Sequence, residues 1–375
     1  MEIPAVSCYN EHVYRTRVHP RRPTRDDVAK AANISGATVS RVLSGRTDLA
    51  ILPETRERVL EAARSLGYLP NMSARALNQG KTGIIGFWMS LEYSCYRGQV
   101  LDAMRSLLRG TEFVAAVTDI DEEYNFAHTF DRALRIPVDG IIAFDTSASV
   151  DAFARDSDRI APQVPFVSMG AYWSESKSYV GVDLRAGADL AMAHLLDSGR
   201  RSISYLAPWT SDLVNSGPRY ESYAAAMKTA GLESNTIAVE TFGFKHISEA
   251  IEDLVRSNAL PEAIVCMNDE AAVTASLVLQ QLGIKVGQDV AILGFNGIEE
   301  TAHTPVPLTT VRQPVEEMCR LAWQFLAAQM DDPTAPLQQQ ILIPELIIRE
   351  STAPAGMGSK GLPSGSQPPQ RRDHP

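Results

Sequence analysis

The stretch "DDVAKAANISGATVSRVLSG", residues 26–45, decides the reading of the chain. Val28, Ala29, Ala32 and Ile34 give one apolar side to a first short helix. Val39, Val42 and Leu43 repeat that spacing on a second. Asn33, Ser35 and Gly36 separate the two segments, and neither is large enough to bury a core alone. The pattern leaves Gly36, Ala37, Thr38, Ser40 and Arg41 facing outward, with Ala37 and Arg41 one turn apart. A third helical pattern, Glu54 to Leu66 with Pro53 at its start, is expected to place Val59, Ala63 and Leu66 behind the pair. Two short helices across a tight turn describe a helix-turn-helix, whose second helix enters the major groove of DNA. The competing reading is a small structural three-helix unit, and charge decides between them.

The 375 residues carry a net charge of −10, which taken whole speaks against a nucleic-acid partner. From Arg15 to Thr82, however, 13 Lys and Arg stand against 6 Asp and Glu, a balance of +7 that leaves −17 for the remainder. A basic front on an acidic body points the front at a polyanion, while the acidic body stays soluble and off the DNA. Residues 1–22 read as an arginine-rich, mobile arm. Residues 70–82, "PNMSARALNQGKT" at their core, read as a linker whose centre, Ser73 to Gln79, has helical character.

From Gly83 onward the grammar changes. The runs "GIIGFW", "FVAAV", "VDGIIAF", "VPFVSM", "SISYLA", "TIAVE", "AIVCM" and "VAILGF" alternate with helical patterns. Continuous apolar runs are the mark of strands buried on both faces, hence of parallel sheets with helices on each side. Roughly ten such alternations exceed one open sheet and predict two doubly wound domains. The tail from Ser351 is rich in Pro, Gly and Ser and is expected to be disordered. The four cysteines, Cys8, Cys95, Cys266 and Cys319, form no CxxC and no metal-ligand spacing, as expected of buried thiols in a reducing compartment. No apolar run reaches the ~18 residues of a membrane span. The opening residues lack a signal-peptide core, so the expected location is the cytoplasm.

Read together, the stretches "DVAKAANISGATVSRVLSG", "ETRERVLEAARSLGYLPN", "SARAL", "VDGII", "HLLDSGRRSISYLA", "MNDEAAVTASLVLQQLG", "VGQDVAILGFN" and "PLTTVRQP" resemble, in order, the lactose-repressor (LacI/GalR) family of bacterial regulators. The resemblance covers about residues 24–350. It implies a helix-turn-helix headpiece and hinge helix ahead of an α/β core of two doubly wound parallel-sheet subdomains, like periplasmic binding proteins. The implied division is headpiece 23–69, hinge 70–82, first subdomain about 83–182 plus 314–336, and second subdomain about 183–311 plus 340–350. The implied function is a repressor, not an enzyme, that binds a palindromic operator as a homodimer at the bacterial nucleoid and answers a small effector.

Carried residue by residue, base reading falls on Gly36, Ala37 and Arg41, with Ser35, Thr38 and Ser40 near phosphates and Thr24 a further DNA contact. The hinge contacts fall on Asn71, Ala74 and Leu77, Leu77 being the wedge into a minor-groove step. Small residues at 36 and 37 leave Arg41 to take guanine bidentately. The sequence departs from the family in three places. The loop "SGRTDLAIL" is about two residues longer, Leu52 stands where a Ser caps the third helix, and Arg25 replaces a buried aliphatic.

Ligands of open α/β sheets bind beyond the carboxyl ends of strands. Tyr96, Arg97, Asn215, Arg219, Phe244, Asn268 with Asp269, and Asn296 each follow such a run, and all but Asp269 match the family's effector positions, with Gln313 at a crossover. Plainer roles compete: Tyr96 and Phe244 as core aromatics, Asn268 or Asp269 as a helix cap, Asn296 as a turn residue beside Gly297, Arg219 as a solvated charge. The family commonly has Asp at the places of Gly170 and Asn296. Losing both while keeping Arg97 and Arg219 predicts an anionic effector, such as a sugar acid or phosphate, although Asp145 and Asp183 lie close enough to offset it. No cofactor or metal is implied. The tail holds no heptad, which predicts a dimer rather than a tetramer.

Two other classes fit less well. A periplasmic sugar-binding protein would need a signal peptide and no helix-turn-helix. An enzyme would need a GxGxxG or GxxxxGK[ST] turn, or a nucleophile elbow, and none occurs.

Overall fold

The computed structural model describes residues 23–43, 51–68, 81–92, 94–120, 125–160, 164–208, 217–241 and 243–353. The chain forms two compact units, Met1–Thr82 and Gly83–Pro375.

The first unit holds three helices, α1 (Arg25–Ala32), α2 (Gly36–Leu43) and α3 (Pro53–Leu66). Helix α1 starts at a capping box. The Thr24 hydroxyl accepts from Asp27 N, and the Asp27 carboxylate accepts from Thr24 N at 2.7 Å. Asn33, in the left-handed region at φ 52°, ends it. Ser35 opens α2 by accepting from Thr38 N at 3.2 Å. Pro53 begins α3 without a side-chain cap from Leu52, as its sequence predicts. Val28, Ala32, Val39, Val42, Val59, Ala62 and Ala63 are buried together, with Ile34, Leu43 and Tyr68 packed at the margin. Leu66 is not part of this core: it is 37% exposed. Gly67 turns the chain back at φ 64°, Tyr68 N bonds to Ala63 O, and the Tyr68 ring packs where Leu66 was expected.

The second unit contains two six-stranded sheets. The first has the order β11-β5-β4-β3-β1-β2, from β1 (Ile84–Met89), β2 (Val114–Asp119), β3 (Gly140–Phe144), β4 (Phe166–Gly170), β5 (Ser178–Val182) and β11 (Gln339–Leu342). The second has the order β12-β10-β9-β8-β6-β7, from β6 (Ile203–Pro208), β7 (Asn235–Val239), β8 (Ala263–Cys266), β9 (Ala291–Asn296), β10 (Thr309–Arg312) and β12 (Glu345–Ile347). Every pairing is parallel except β10 with β12.

Helices α4 (Cys95–Leu108), α5 (Phe126–Leu134), α6 (Ser147–Ile160) and α11 (Val315–Asp331) belong with the first sheet. Helices α7 (Leu184–Asp197), α8 (Pro218–Thr229), α9 (Phe244–Arg256) and α10 (Asp269–Gln281) belong with the second. Each sheet is covered on both faces. Val100 and Met104 of α4 join Met318, Cys319 and Ala322 of α11 over one face of the first sheet, and a Trp88–Phe130–Phe153–Phe166 aromatic cluster fills the other.

The eight apolar runs coincide with β1–β4 and β6–β9, but β2 is an edge strand. Val114 and Val117 on it are exposed, so burial on both faces does not extend to the rim. The chain passes between sheets after β5, after β10, and again between β11 and β12. This last crossing lies at residues 343–344, later than the boundary expected near 340, because Gln339–Leu342 pairs in parallel with the free edge of β5. The tail expectation also needs correction at its start. Ser351 donates to Ile292 O at 2.6 Å, Thr352 meets both Thr309 and His194, and both residues are buried. Residues 354–375 and 1–22 lie outside the described residues. No helix among the described residues is long and apolar enough to cross a membrane.

Candidate ligand cleft and nucleic-acid interface

On the headpiece, Ala37, Ser40 and Arg41 are exposed along one side of α2, and Gly36 and Thr38 are half-buried. The hydroxyls of Ser35 and Thr38 lie 2.9 Å apart, within hydrogen-bond distance of each other. At Gly36 an added Cβ would meet Arg25 and Asp26 at an ordinary 3.7 Å, so the glycine is not demanded by internal packing. Thr24, expected to contact DNA, directs its hydroxyl at Asp27 of α1. Arg25 is exposed, its guanidinium 3.7 Å from Asp26. Asn71, Ala74, Leu77 and the whole expected hinge helix lie outside the described residues.

In the core the expected effector residues lie at the carboxyl ends of strands from both sheets. Asn215 lies outside the described residues. Tyr96, in the first turn of α4, is 5% exposed and packs on Phe144, yet its hydroxyl has no hydrogen-bond partner. Burial, and then Asp145 beside it, push this phenol well above its ordinary pKa, so it is a neutral donor. Arg219, at the start of α8, donates to Met267 O at 3.1 Å and lies 5.3 Å over the Phe295 ring, while its Nε is buried without a partner. Arg97 differs from expectation: it turns back to Glu92, reaching the backbone oxygen at 3.3 Å and the carboxylate at 3.8 Å. Phe244, at the start of α9, is 51% exposed and so is not a core aromatic.

Asn268 is the cap of α10, accepting from Ala271 N at 2.9 Å. Its neighbour Asp269 is fully buried. One carboxylate oxygen accepts from Thr310 Oγ1 at 2.6 Å, the other from Gly297 N at 2.6 Å and Ile298 N at 2.9 Å. Burial pushes its pKa up to about 7 against the pull of those three donors. Asp269 thereby fixes the loop leaving β9, where Asn296 adopts φ 110° and Gly297 φ 79°. A Cβ on Gly294 would fall on the Asp269 carboxylate, so the glycine makes room for it. Asn296 in turn accepts from Gln313 Nε2 at 2.9 Å, and both side chains are buried. That pair ties the end of β9 to the crossover after β10.

Sequence reasoning named Asp145 as nearby negative charge but missed what it touches, and missed Glu270 altogether. Asp145, left-handed at φ 49°, accepts from Ala171 N at 2.6 Å, and a Cβ on Gly170 would land on its carboxylate. Its carboxylate therefore fills the space of the side chain that position 170 lacks. Glu270, on α10, reaches the other subdomain: its Oε1 accepts from Ser94 Oγ at 2.8 Å and from Cys95 N at 2.9 Å. Its Oε2 is buried without a partner. The acidic run "NDE" gave no sign of this, because Ser94 lies 176 residues away in the chain. Tyr96 Oη and Thr146 Oγ1, on the segments that follow β1 and β3, and Arg219 Nε and Glu270 Oε2, on those that follow β6 and β8, are buried polar atoms with no partner among the described residues. Folded proteins rarely leave such groups unsatisfied.

A three-helix reader followed by a two-lobed core with polar groups converging at its strand ends defines a class: DNA-binding regulators built on a periplasmic-binding-protein-like domain. The bacterial regulatory proteins, lacI family, match residues 24–71, and the periplasmic binding protein-like domain matches residues 192–352. The HTH-type transcriptional regulator MalR of Streptomyces coelicolor is 30% identical over 348 residues, covering 90% of this chain and 98% of MalR. The ribose operon repressor of Escherichia coli K12 is 29% identical over 333 residues, 88% of this chain and 99% of that repressor. Among solved structures, the lac repressor dimer bound to operator and the anti-inducer ONPF superposes with a TM-score of 0.73 at 22% identity, over 89% of this chain and all of that one. The chain belongs to the lacI family of bacterial transcription regulators and is not an enzyme.

Proposed function

We propose that the protein is a homodimeric repressor whose two headpieces read the halves of a palindromic operator in bacterial cytoplasm, and whose core cleft binds a neutral, polyhydroxylated effector such as a sugar. The observation that carries the effector reading is the set of buried, unpartnered polar atoms of Tyr96, Thr146, Arg219 and Glu270. A ligand rich in hydroxyls, which both donate and accept, would satisfy them all. Asn296 and Gln313 belong to the same strand-end surface, and Asn268, though a cap, keeps its amide group for a ligand.

Two findings move the reading from an anion to a neutral ligand. Arg97 turns to Glu92, whose carboxylate 3.8 Å away offsets part of its charge. The carboxylate absent at position 170 is supplied by Asp145. Asp145 and Arg219 act on the same Tyr96, so the carboxylate offsets the cation that a phosphate or sugar acid would need in surplus. The relatedness to a ribose operon repressor makes D-ribose the first compound to try.

Isothermal titration of the full-length chain with D-ribose, cellobiose and ribose 5-phosphate tests the reading. It predicts binding of a neutral sugar, lost in Arg219→Ala and Asn296→Ala. Binding of ribose 5-phosphate with rejection of both neutral sugars would restore the anionic expectation.

A further inference from the structure

Glu270 occupies a position that its neighbours do not explain. It lies in the first turn of α10, on the second subdomain, where a carboxylate suits the positive end of that helix. Yet it does not cap α10, since Asn268 does. Its Oε1 instead crosses the cleft to the first turn of α4 on the other subdomain, accepting from the Ser94 hydroxyl at 2.8 Å and Cys95 N at 2.9 Å. Ser94 is the N-cap of α4, its Oγ accepting from Arg97 N at 3.4 Å. The carboxylate therefore stands between the N-termini of two helices, one from each lobe, and both helix dipoles favour its charge.

The first turn of α4 also carries Tyr96 and Arg97. Cys95 N is one of the backbone donors that no helix can satisfy internally. With Glu270 in place it is paired. A separation of the lobes would break both of these hydrogen bonds together.

We propose that Glu270 is a positioning residue of the cleft, a latch that ties the first turn of α4, and with it Tyr96 and Arg97, to the opposite subdomain. This rests on the effector reading above only for what the latch positions. The tie itself exists without a ligand and is tested without one.

The test is hydrogen–deuterium exchange of the ligand-free, full-length protein, followed by mass spectrometry over residues 94–98, α10 and β3. Charge-assisted hydrogen bonds protect amides strongly, so Glu270→Ala should speed exchange in 94–98 about tenfold or more while β3 stays protected. Glu270→Gln, which keeps an acceptor oxygen, should recover most of the protection. Unchanged exchange in 94–98 on Glu270→Ala would overturn the proposal. So would an equal acceleration in β3, which would make Glu270 a general support of the fold. A sugar titration that fails leaves these outcomes untouched, so the two readings can fail separately.

Discussion

Arg41 is the one long polar side chain on the outward row of α2, beside Gly36, Ala37 and Ser40, which offer close approach but little hydrogen bonding to bases. Arg41→Ala should cost about 1–3 kcal/mol of discrimination at each half-site. It should leave salt-sensitive, nonspecific DNA binding nearly intact. Selection from a random duplex library reads this directly, and an unchanged consensus would count against it. Asp269 makes a second prediction. Its carboxyl ionises near 3.8 ordinarily but at about 7 when folded, so the folded state holds a proton that the unfolded chain has released between those values. Asp269 therefore contributes stability at low pH that is lost as pH rises toward 7, with no further change above it. Asp269→Asn also leaves the donors of Thr310, Gly297 and Ile298 sharing one acceptor, costing about 1–3 kcal/mol. Urea unfolding should show a larger gap between wild type and Asp269→Asn at pH 5 than at pH 8, and a pH-independent gap would reject the assignment. At this scale, side-chain types at strand ends were legible. What they touch was not: Arg97 turns to Glu92, and Asp145 fills the space over Gly170, contacts set by the folded backbone.

Among the elements, α3 begins without a side-chain cap because Leu52 cannot accept from the first-turn amides, and Leu52 is 71% exposed. Leu52→Ser should stabilise the headpiece by about 0.5–2 kcal/mol, seen as a higher melting temperature by circular dichroism. No gain would mean that the preceding loop holds residue 52 away from capping geometry. The helices of the headpiece were readable because each buries one narrow stripe at helical spacing. The misplaced Leu66 shows the limit of that logic, since periodicity does not say where a left-handed glycine folds the chain back. Strands β1–β4 and β6–β9 announced themselves as apolar runs. Strands β5, β10, β11 and β12 did not: they are three to five residues long and carry Ser, Thr, Gln, Arg or Glu, and the sheet rather than their composition makes them strands.

Across the whole molecule, charge is divided: +7 over residues 15–82 and −17 over the rest. DNA binding that releases phosphate counterions should therefore weaken steeply with salt, by orders of magnitude between about 50 and 200 mM if several phosphates are contacted. A salt-insensitive association would point away from the headpiece. The two-lobed core was legible from alternating runs, whereas the closure of the cleft was not, because it depends on pairs such as Glu270 with Ser94 that join distant parts of the chain. In the proposed function one ligand site and one DNA site share a free energy, and such coupling is reciprocal. The most direct test takes the duplex enriched by the full-length chain from a random library. Its affinity is measured with and without saturating D-ribose, or whichever sugar binds in the titration, and the sugar's affinity with and without that duplex. The account predicts an inverted-repeat duplex and the same fold-change in both directions. A library that yields no preferred duplex, or a sugar whose binding leaves duplex affinity unchanged, would contradict it.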